Sequence, residues 1–253
     1  MDEFAPLRLA EEWDNVGLLV GDPSRQIAGV MTCLTITPAS CAEAIEKKAD
    51  LIIAHHPLPF RPLKRLTTET TVGKIMLDLI SAGIAIYSPH TSFDSAPAGI
   101  NQQIAEGLGL QRVEALSPFE NDADHLGSGR WGTYSKPQPA SDFCAAVKRF
   151  FRLKQIQVVG DLANPIQKVA VACGSAGQFL ELAIRRESDA FITGETNFHT
   201  CLEAEATNTL LVLPGHFATE RFAMERLAEK VQQVFSGLNV WVSQSEFDPI
   251  QSI

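Results

Sequence analysis

The sequence has few cysteines, and they are scattered. Cys33, Cys41, Cys144, Cys173 and Cys201 stand 8, 103, 29 and 28 positions apart, an odd number with no CxxC pair. Such spacing predicts neither a disulfide framework nor a thiolate zinc site, and reduced thiols in a cytosol are the default. Basic residues are in deficit: 21 Lys and Arg against 30 Asp and Glu leave a formal net charge of −9 over 253 residues. Coating duplex nucleic acid needs a basic face, so no such partner is expected. Long apolar runs are missing too. The run at 51–54 is among the longest and far too short to span a bilayer. The opening residues lack a basic stretch followed by an apolar one. No membrane partner and no secretory signal are expected, and the location read from the sequence is cytoplasmic. Gly174-Ser175-Ala176-Gly177 follows a predicted strand, but its spacing matches neither a nucleotide-binding loop nor a nucleophile elbow. It reads as a tight strand-to-helix turn, with an anion at the helix start as the functional alternative.

What is present is an ordinary globular composition, 45% hydrophobic, in which short β-rich runs alternate with helical patterns. Strands are predicted at 27–36, 51–54, 84–87, 155–159, 169–173, 191–193, 210–213 and 240–242. Helices are predicted from Thr37 as N-cap with Pro38 behind it, at 70–82 closed by Gly83, at 99–107, at 141–151 and at 217–235. This rhythm predicts an α/β protein with mixed sheets flanked by helices. The stretch 117–138 is rich in Pro, Asn, Asp, Gly and Ser and reads as a connection. The expected organisation is a first α/β half at 1–116, to which C-terminal elements can return, a connection at 117–140 and a second α/β half at 141–253. A weak internal similarity supports two related halves. Asp50 and Asp189 each precede a short strand, and one βα unit later a strand ends at His90 and at His216.

Five of the six histidines, His55, His56, His90, His199 and His216, lie at or just beyond predicted strand ends. In open α/β sheets ligands gather there. Carboxylates accompany them: Asp94 four residues after His90, Glu220 four after His216, Glu195 four before His199. His216 and Glu220 share one face of a predicted helix. Adjacent imidazoles such as His55 and His56 diverge, so they suit two ions better than one, and Glu220 or Asp94 could bridge. Nitrogen and oxygen donors without thiolate fit zinc, manganese, iron or nickel. Taken singly, Glu220 could be a helix-dipole acid, His199 a helix cap or an outer hydrogen-bond partner, and His125 a surface residue. The run Glu11-Glu12-Trp13-Asp14-Asn15 reads as a helix end or as a loop at a pocket mouth.

Six motifs in order resemble the dinuclear-metal family variously called NGG-interacting-factor-like or GTP cyclohydrolase 1 type 2-like. They are LAEEWDNVGLLVGDP at 9–23, DLIIAHHPLPF at 50–60, SPHTSFDSAPAGIN at 88–101, GSGRWG at 127–132, DAFITGETNFH at 189–199 and PGHFATE at 214–220. The resemblance implies two metal ions per chain on His55, His56, Asp94, His216 and Glu220, the residues the spacing also selects. It implies two similar α/β halves facing a shared metal-site cleft, and a toroidal homohexamer. His90 matches a family histidine close to the site, and His90 and His199 are the candidates for acid–base work. Departures from the family pattern, at Ser92, Phe93, Phe217 and Thr219, remove no ligand. The expected activity is metal-dependent hydrolysis, with a metal-bridging hydroxide attacking a ring, amide or phosphoester of a small-molecule substrate. The alternative is a non-enzymatic hexamer with a regulatory, scaffold or metal-handling role.

Overall fold

The computed structural model describes residues 1–120, 122 and 124–251. In chain order the elements are β1 (Gly17–Val20), β2 (Gly29–Cys33), α1 (Pro38–Glu46), β3 (Leu51–Ala54), α2 (Thr71–Ser81), β4 (Ala85–Ser88) and α3 (His90–Ser95). There follow α4 (Ile100–Gly107), β5 (Gln111–Glu114), β6 (Ser117–Pro118), β7 (Gly127–Ser128), β8 (Arg130–Pro139), α5 (Ala140–Phe150) and β9 (Gln157–Val159). The chain closes with β10 (Pro165–Ser175), α6 (Leu180–Arg185), β11 (Ala190–Glu195), α7 (Phe198–Ala206), β12 (Leu210–Leu213), α8 (His216–Val234) and β13 (Asn239–Val242). Contacts group them into two units, Met1–Phe93 with Arg221–Ile253, and Asp94–Glu220.

The first unit holds a five-stranded mixed sheet in the order β1-β4-β3-β2-β13. Every residue of β2 is buried, as expected of a central parallel strand covered on both faces. Helix α1 starts where the sequence places it. The Thr37 hydroxyl accepts from the Ser40 amide, and the Ser40 hydroxyl accepts from the Thr37 amide, with Pro38 in the first turn. Ile52, Ile86, Met31, Ile75 and Leu79 form the core that α1 and α2 close. The C-terminal strand β13 pairs in parallel with β2. The segment behind it is tied down by Glu43, which accepts from the Ser243 hydroxyl and the amides of Gln244 and Ser245.

The second unit holds a six-stranded mixed sheet, β5-β8-β10-β11-β12-β9. Ala170, Ala172, Leu180, Phe191 and Leu211 build one face of its core, and α4 and α5 pack on β8 and β10. The stretch read as a connection differs from that expectation. It carries β6, β7 and the ten-residue β8, which pairs with both β5 and β10. Its sequence, RWGTYSKPQP, has poor strand propensity, but pairing to neighbours overrides propensity. The recorded pairs of β8 with β5 involve Trp131 and Thr133, so Pro137 and Pro139 lie beyond them, where a missing amide is tolerated.

The two sheets share a motif. β1-β4-β3-β2 and β9-β12-β11-β10 run in the same order, three parallel strands with an antiparallel one beside the last. Asp50 accepts from the amides of Ala28 and Gly29 at 2.8 and 2.9 Å. Asp189 accepts from those of Gln167 and Lys168, both at 2.8 Å. Each carboxylate thus pins the start of the neighbouring strand in the same way, β2 in one unit and β10 in the other.

Candidate metal centre

In the first unit the ladder between β2 and β3 continues past the end of β3. The His55 amide donates to the Cys33 carbonyl at 3.0 Å and the His56 amide to that of Leu34 at 2.8 Å. Both imidazoles are therefore held at the carboxyl edge of the sheet, His55 fully buried. His90 follows β4 and opens α3 with φ +25°, a conformation an L-residue seldom adopts. The ring centroids of His55, His56 and His90 lie 5.2 to 5.7 Å apart. One donor atom from each lies within 4.8 Å of the others, a group that could hold a metal ion.

His90 and His56 each have a partner at Nδ1. Asp14, buried and anionic, sits 2.7 Å from His90 Nδ1 and also accepts from the Thr91 amide. A carboxylate only accepts, so the His90 proton belongs on Nδ1 and the lone pair on Nε2. Burial pushes the Asp14 carboxyl up, but its bonds to His90 and Thr91 outweigh that and hold it below its ordinary value. Thr35 Oγ1 lies 2.7 Å from His56 Nδ1. Thr35 is itself fixed by Glu246, which accepts from its amide at 2.7 Å. Trp13 and Phe60 flank the His90 ring at 6.0 and 5.9 Å, which places the Trp13-Asp14-Asn15 run beside the cluster.

In the second unit His216 opens α8 directly after β12, and Glu220 lies one turn on, its carboxylate oxygen 3.1 Å from His216 Nε2. Glu195, at the end of β11, lies 2.9 Å from His216 Nδ1. Burial pulls the His216 pKa down, but Glu220 and Glu195 together raise it to about 9. The protonated imidazole of His216 is thus favoured beside Glu220 and Glu195. Glycine makes the room. Gly174 has φ +66°, and a Cβ there would stand 2.2 Å from Glu220 Oε1 and 3.5 Å from His216 Nε2. The Gly174-Ser175 pair therefore ends β10 and clears space for a carboxylate, a role its spacing alone did not disclose.

Asp94 lies on α3 and its Oδ1 accepts from the Cys173 thiol at 3.1 Å. Burial and the charges of Asp94 and Glu220 push that thiol well above its ordinary value, so it stays protonated. His199 stands exposed in the first turn of α7 with its ring 6.2 Å from that of Phe198, and is in none of the candidate metal groups among the described residues. Sequence reasoning missed Thr35 and Cys173, and placed Asp14 only within a run read as a helix end or a pocket-mouth loop. It noted Glu195 only beside His199, although a carboxylate at a strand end fits the same rule that selected the histidines. The donor set is imidazole nitrogen and carboxylate oxygen with the nearest thiol protonated, and it fits a divalent transition metal.

A repeated α/β frame bearing imidazole and carboxylate clusters defines a class of candidate metal-binding protein, and comparison with known proteins narrows it. A family model described as Duf34/NIF3 (NGG1p interacting factor 3) matches residues 1–249, and the chain belongs to this family. It is 34% identical over 253 residues to the GTP cyclohydrolase 1 type 2 homolog of Clostridium acetobutylicum, covering 98% of this chain and 94% of that protein. It is 31% identical over 261 residues to the NIF3 homolog of Schizosaccharomyces pombe, covering 97% and 93%. Among solved structures, the Bacillus cereus protein related to NIF3 superposes with a TM-score of 0.89 at 24% identity, covering 100% of this chain and 96% of that one, a likeness of fold. Staphylococcus aureus protein SA1388 gives 0.88 at 26% identity over the same shares.

Proposed function

We propose that the chain binds two divalent transition-metal ions through His55, His56, Asp94, His216 and Glu220, and that it is a metal-dependent hydrolase of a small-molecule substrate. The observation that carries this reading is the orientation of the imidazoles. Thr35 meets His56 at Nδ1 and Glu195 meets His216 at Nδ1, the outer hydrogen bonds that orient a ligand imidazole. Such a pair of ions, when bound, supplies Lewis acidity and activates water near neutral pH. In this reading Glu220, beside His216 on one helix face, and Asp94 would supply the carboxylate donors that hold the ions. His90 holds its proton at Nδ1 against Asp14, so its Nε2 is free to accept a proton or return one. His199, exposed on α7, has a place in the chemistry only where a substrate reaches it. Relatives named GTP cyclohydrolase 1 type 2 homolog support ring hydrolysis as the first reaction class to test. Relatives named for NIF3 keep a second reading open, a metal-binding interaction or metal-handling protein without turnover. Either reading carries a homohexamer, which light scattering tests.

The test strips the protein of metal and reloads it with zinc, manganese, iron or nickel. Two ions per chain by elemental analysis are expected, and fewer in His56→Ala. The loaded protein is then screened against nucleotides, cyclic amides and phosphodiesters. Turnover lost in His56→Ala supports the hydrolase, and two bound ions with no turnover support the binder. A stoichiometry of one ion or none overturns the dinuclear site.

A further inference from the structure

Asp94 is the proposed ligand that sits in the most elaborate surroundings, and residues outside the metal set supply them. Its backbone ends the short helix α3, where carbonyls lack helical partners. Three of those carbonyls are met by buried side chains. Asn101, 3% exposed, donates from Nδ2 to the Asp94 carbonyl at 3.2 Å. Arg130, 2% exposed, donates from Nη2 to the carbonyls of Ser95 and Ala96, both at 2.8 Å. The same guanidinium reaches the Gly127 and Gly129 carbonyls and Gln102 Oε1. Burying a cation among neutral acceptors costs heavily unless the donors are satisfied, and here the acceptors stand around it. Asn101 also works in the other direction, its Oδ1 accepting from the Cys173 amide at 2.8 Å. That bond fixes the end of β10 against the end of α3. Cys173 then closes the loop, its thiol donating to Asp94 Oδ1 at 3.1 Å.

We propose that Cys173 is a positioning residue for Asp94, its thiol holding one carboxylate oxygen while Asn101 and Arg130 hold the backbone that carries it. The proposal rests on the reading that Asp94 is a metal ligand. The thiol is a donor here, not a ligand, and it fixes the rotation of the carboxylate about its own axis, which the backbone bonds cannot do. The group most often seen in this role around a metal ligand is a carboxylate, carbonyl or water holding a histidine; a thiol holding a carboxylate inverts the polarity with the same consequence. It also explains why SPHTSFDSAPAGIN ends at Asn101 and why GSGRWG keeps an arginine inside the fold.

The experiment titrates stripped full-length protein with cobalt(II), against a competing chelator, in four forms: wild type, Cys173→Ala, Cys173→Ser and Asp94→Asn. Cys173→Ala is expected to weaken one of the two ions by about 10-fold or more, the range for outer partners of metal ligands. Cys173→Ser, which keeps a donor, is expected to bind within about threefold of wild type, an inference from the retained hydrogen bond. A merely structural role would weaken both variants alike. If Cys173→Ala fails to fold, Cys173→Val fills the volume without a donor and reads the same contrast. Wild-type affinity in the donor-less variant overturns the proposal, as does equal loss in the serine variant. A thiolate-to-cobalt charge-transfer band in wild type also overturns it, because Cys173 would then be a ligand itself. Failure of the underlying reading looks different: Asp94→Asn would bind both ions like wild type.

Discussion

The parallel strands of the two units pair in the same register as far as Cys33 and Ala172, and the differences fall beyond, at the candidate ligands. Asp50 and Asp189 hold the same bonds to the preceding strand, so positions counted from them correspond. Six residues on from each stand His56 and Glu195. One unit offers an imidazole there, and the other offers a carboxylate that orients an imidazole. By count from the two aspartates Thr35 stands where Gly174 does, but β10 shifts register between Ala172 and Ser175 and departs from β2 there. Thr35 reaches His56, whereas Gly174 withdraws to admit Glu220. His90 and His216 both open the helix after the third parallel strand, with Asp94 and Glu220 four residues later. His216 takes its partner from inside the repeated unit, at Glu195, while His90 takes Asp14 from a loop ahead of β1. A repeated backbone sets where donors can stand, and substitutions within it decide which donor is a candidate ligand and which meets it as a hydrogen-bond partner.

The largest expected effect separates His56 from its counterpart. His56→Ala should lose one ion outright, whereas Glu195→Ala should keep two and bind one of them about 10–100-fold more weakly. Elemental analysis with chelator competition reads both, and equal losses would erase the difference between ligand and support.

Next comes the pair at the strand end. Gly174→Ala places a Cβ at φ +66° and 2.2 Å from Glu220 Oε1. Strain and overpacking together should cost about 4 kcal/mol in urea unfolding. Thr35→Gly at the matching position should cost about 1 kcal/mol. Similar losses would mean that the Gly174 carboxylate pocket is no tighter than the Thr35 site.

Acid sharpens the comparison from the side of the first unit. Burial raises the Glu43 carboxyl, but bonds from Lys47, Ser243, Ser245 and Gln244 outweigh it and bring it from 4.5 down to about 2. A depressed carboxyl stabilises the fold above its unfolded value and loses that contribution as pH falls through the folded one. Glu43→Gln should therefore lower stability at pH 7 by about 3 kcal/mol and flatten the loss between about pH 4.5 and 2. Chemical unfolding across that range checks it, and an unchanged acid limb would remove Glu43 from the account.

The smallest effect is a match rather than a contrast. Asp50→Asn and Asp189→Asn each weaken two bonds to backbone amides and should each cost about 2 kcal/mol. A difference larger than about 1 kcal/mol, judged against the spread of such bonds, would show that the two carboxylates are not equivalent.

Much of this was readable in the residues. Thr37-Pro38 announces α1, the βα rhythm announces the parallel strands, and histidines after Ala54, Pro89 and Gly215 announce the carboxyl edges. The relation of Asp50 to Asp189 is visible as a faint similarity and is matched by the pair of backbone amides that each carboxylate accepts from. β8 was not readable, because its prolines, glycine and lysine argue for a loop and only its partners make it a strand. The 174–177 run reads in sequence as a tight strand-to-helix turn, while the use of its first glycine is the space it leaves for a side chain 46 positions later.

The sequence by itself determined the repeated strand-and-helix frame and the residue types at its strand ends. Those depend on hydrophobic period, caps and breakers acting over a few residues, and such signals are local. Tertiary structure alone decided which groups meet His56, His90 and His216 and what holds Asp94. Asp14 meets His90 across 76 positions and Cys173 meets Asp94 across 79. A hydrogen bond acts over about 3 Å of space whatever the distance along the chain, so only the folded arrangement can say which nitrogen keeps its proton and which oxygen is held.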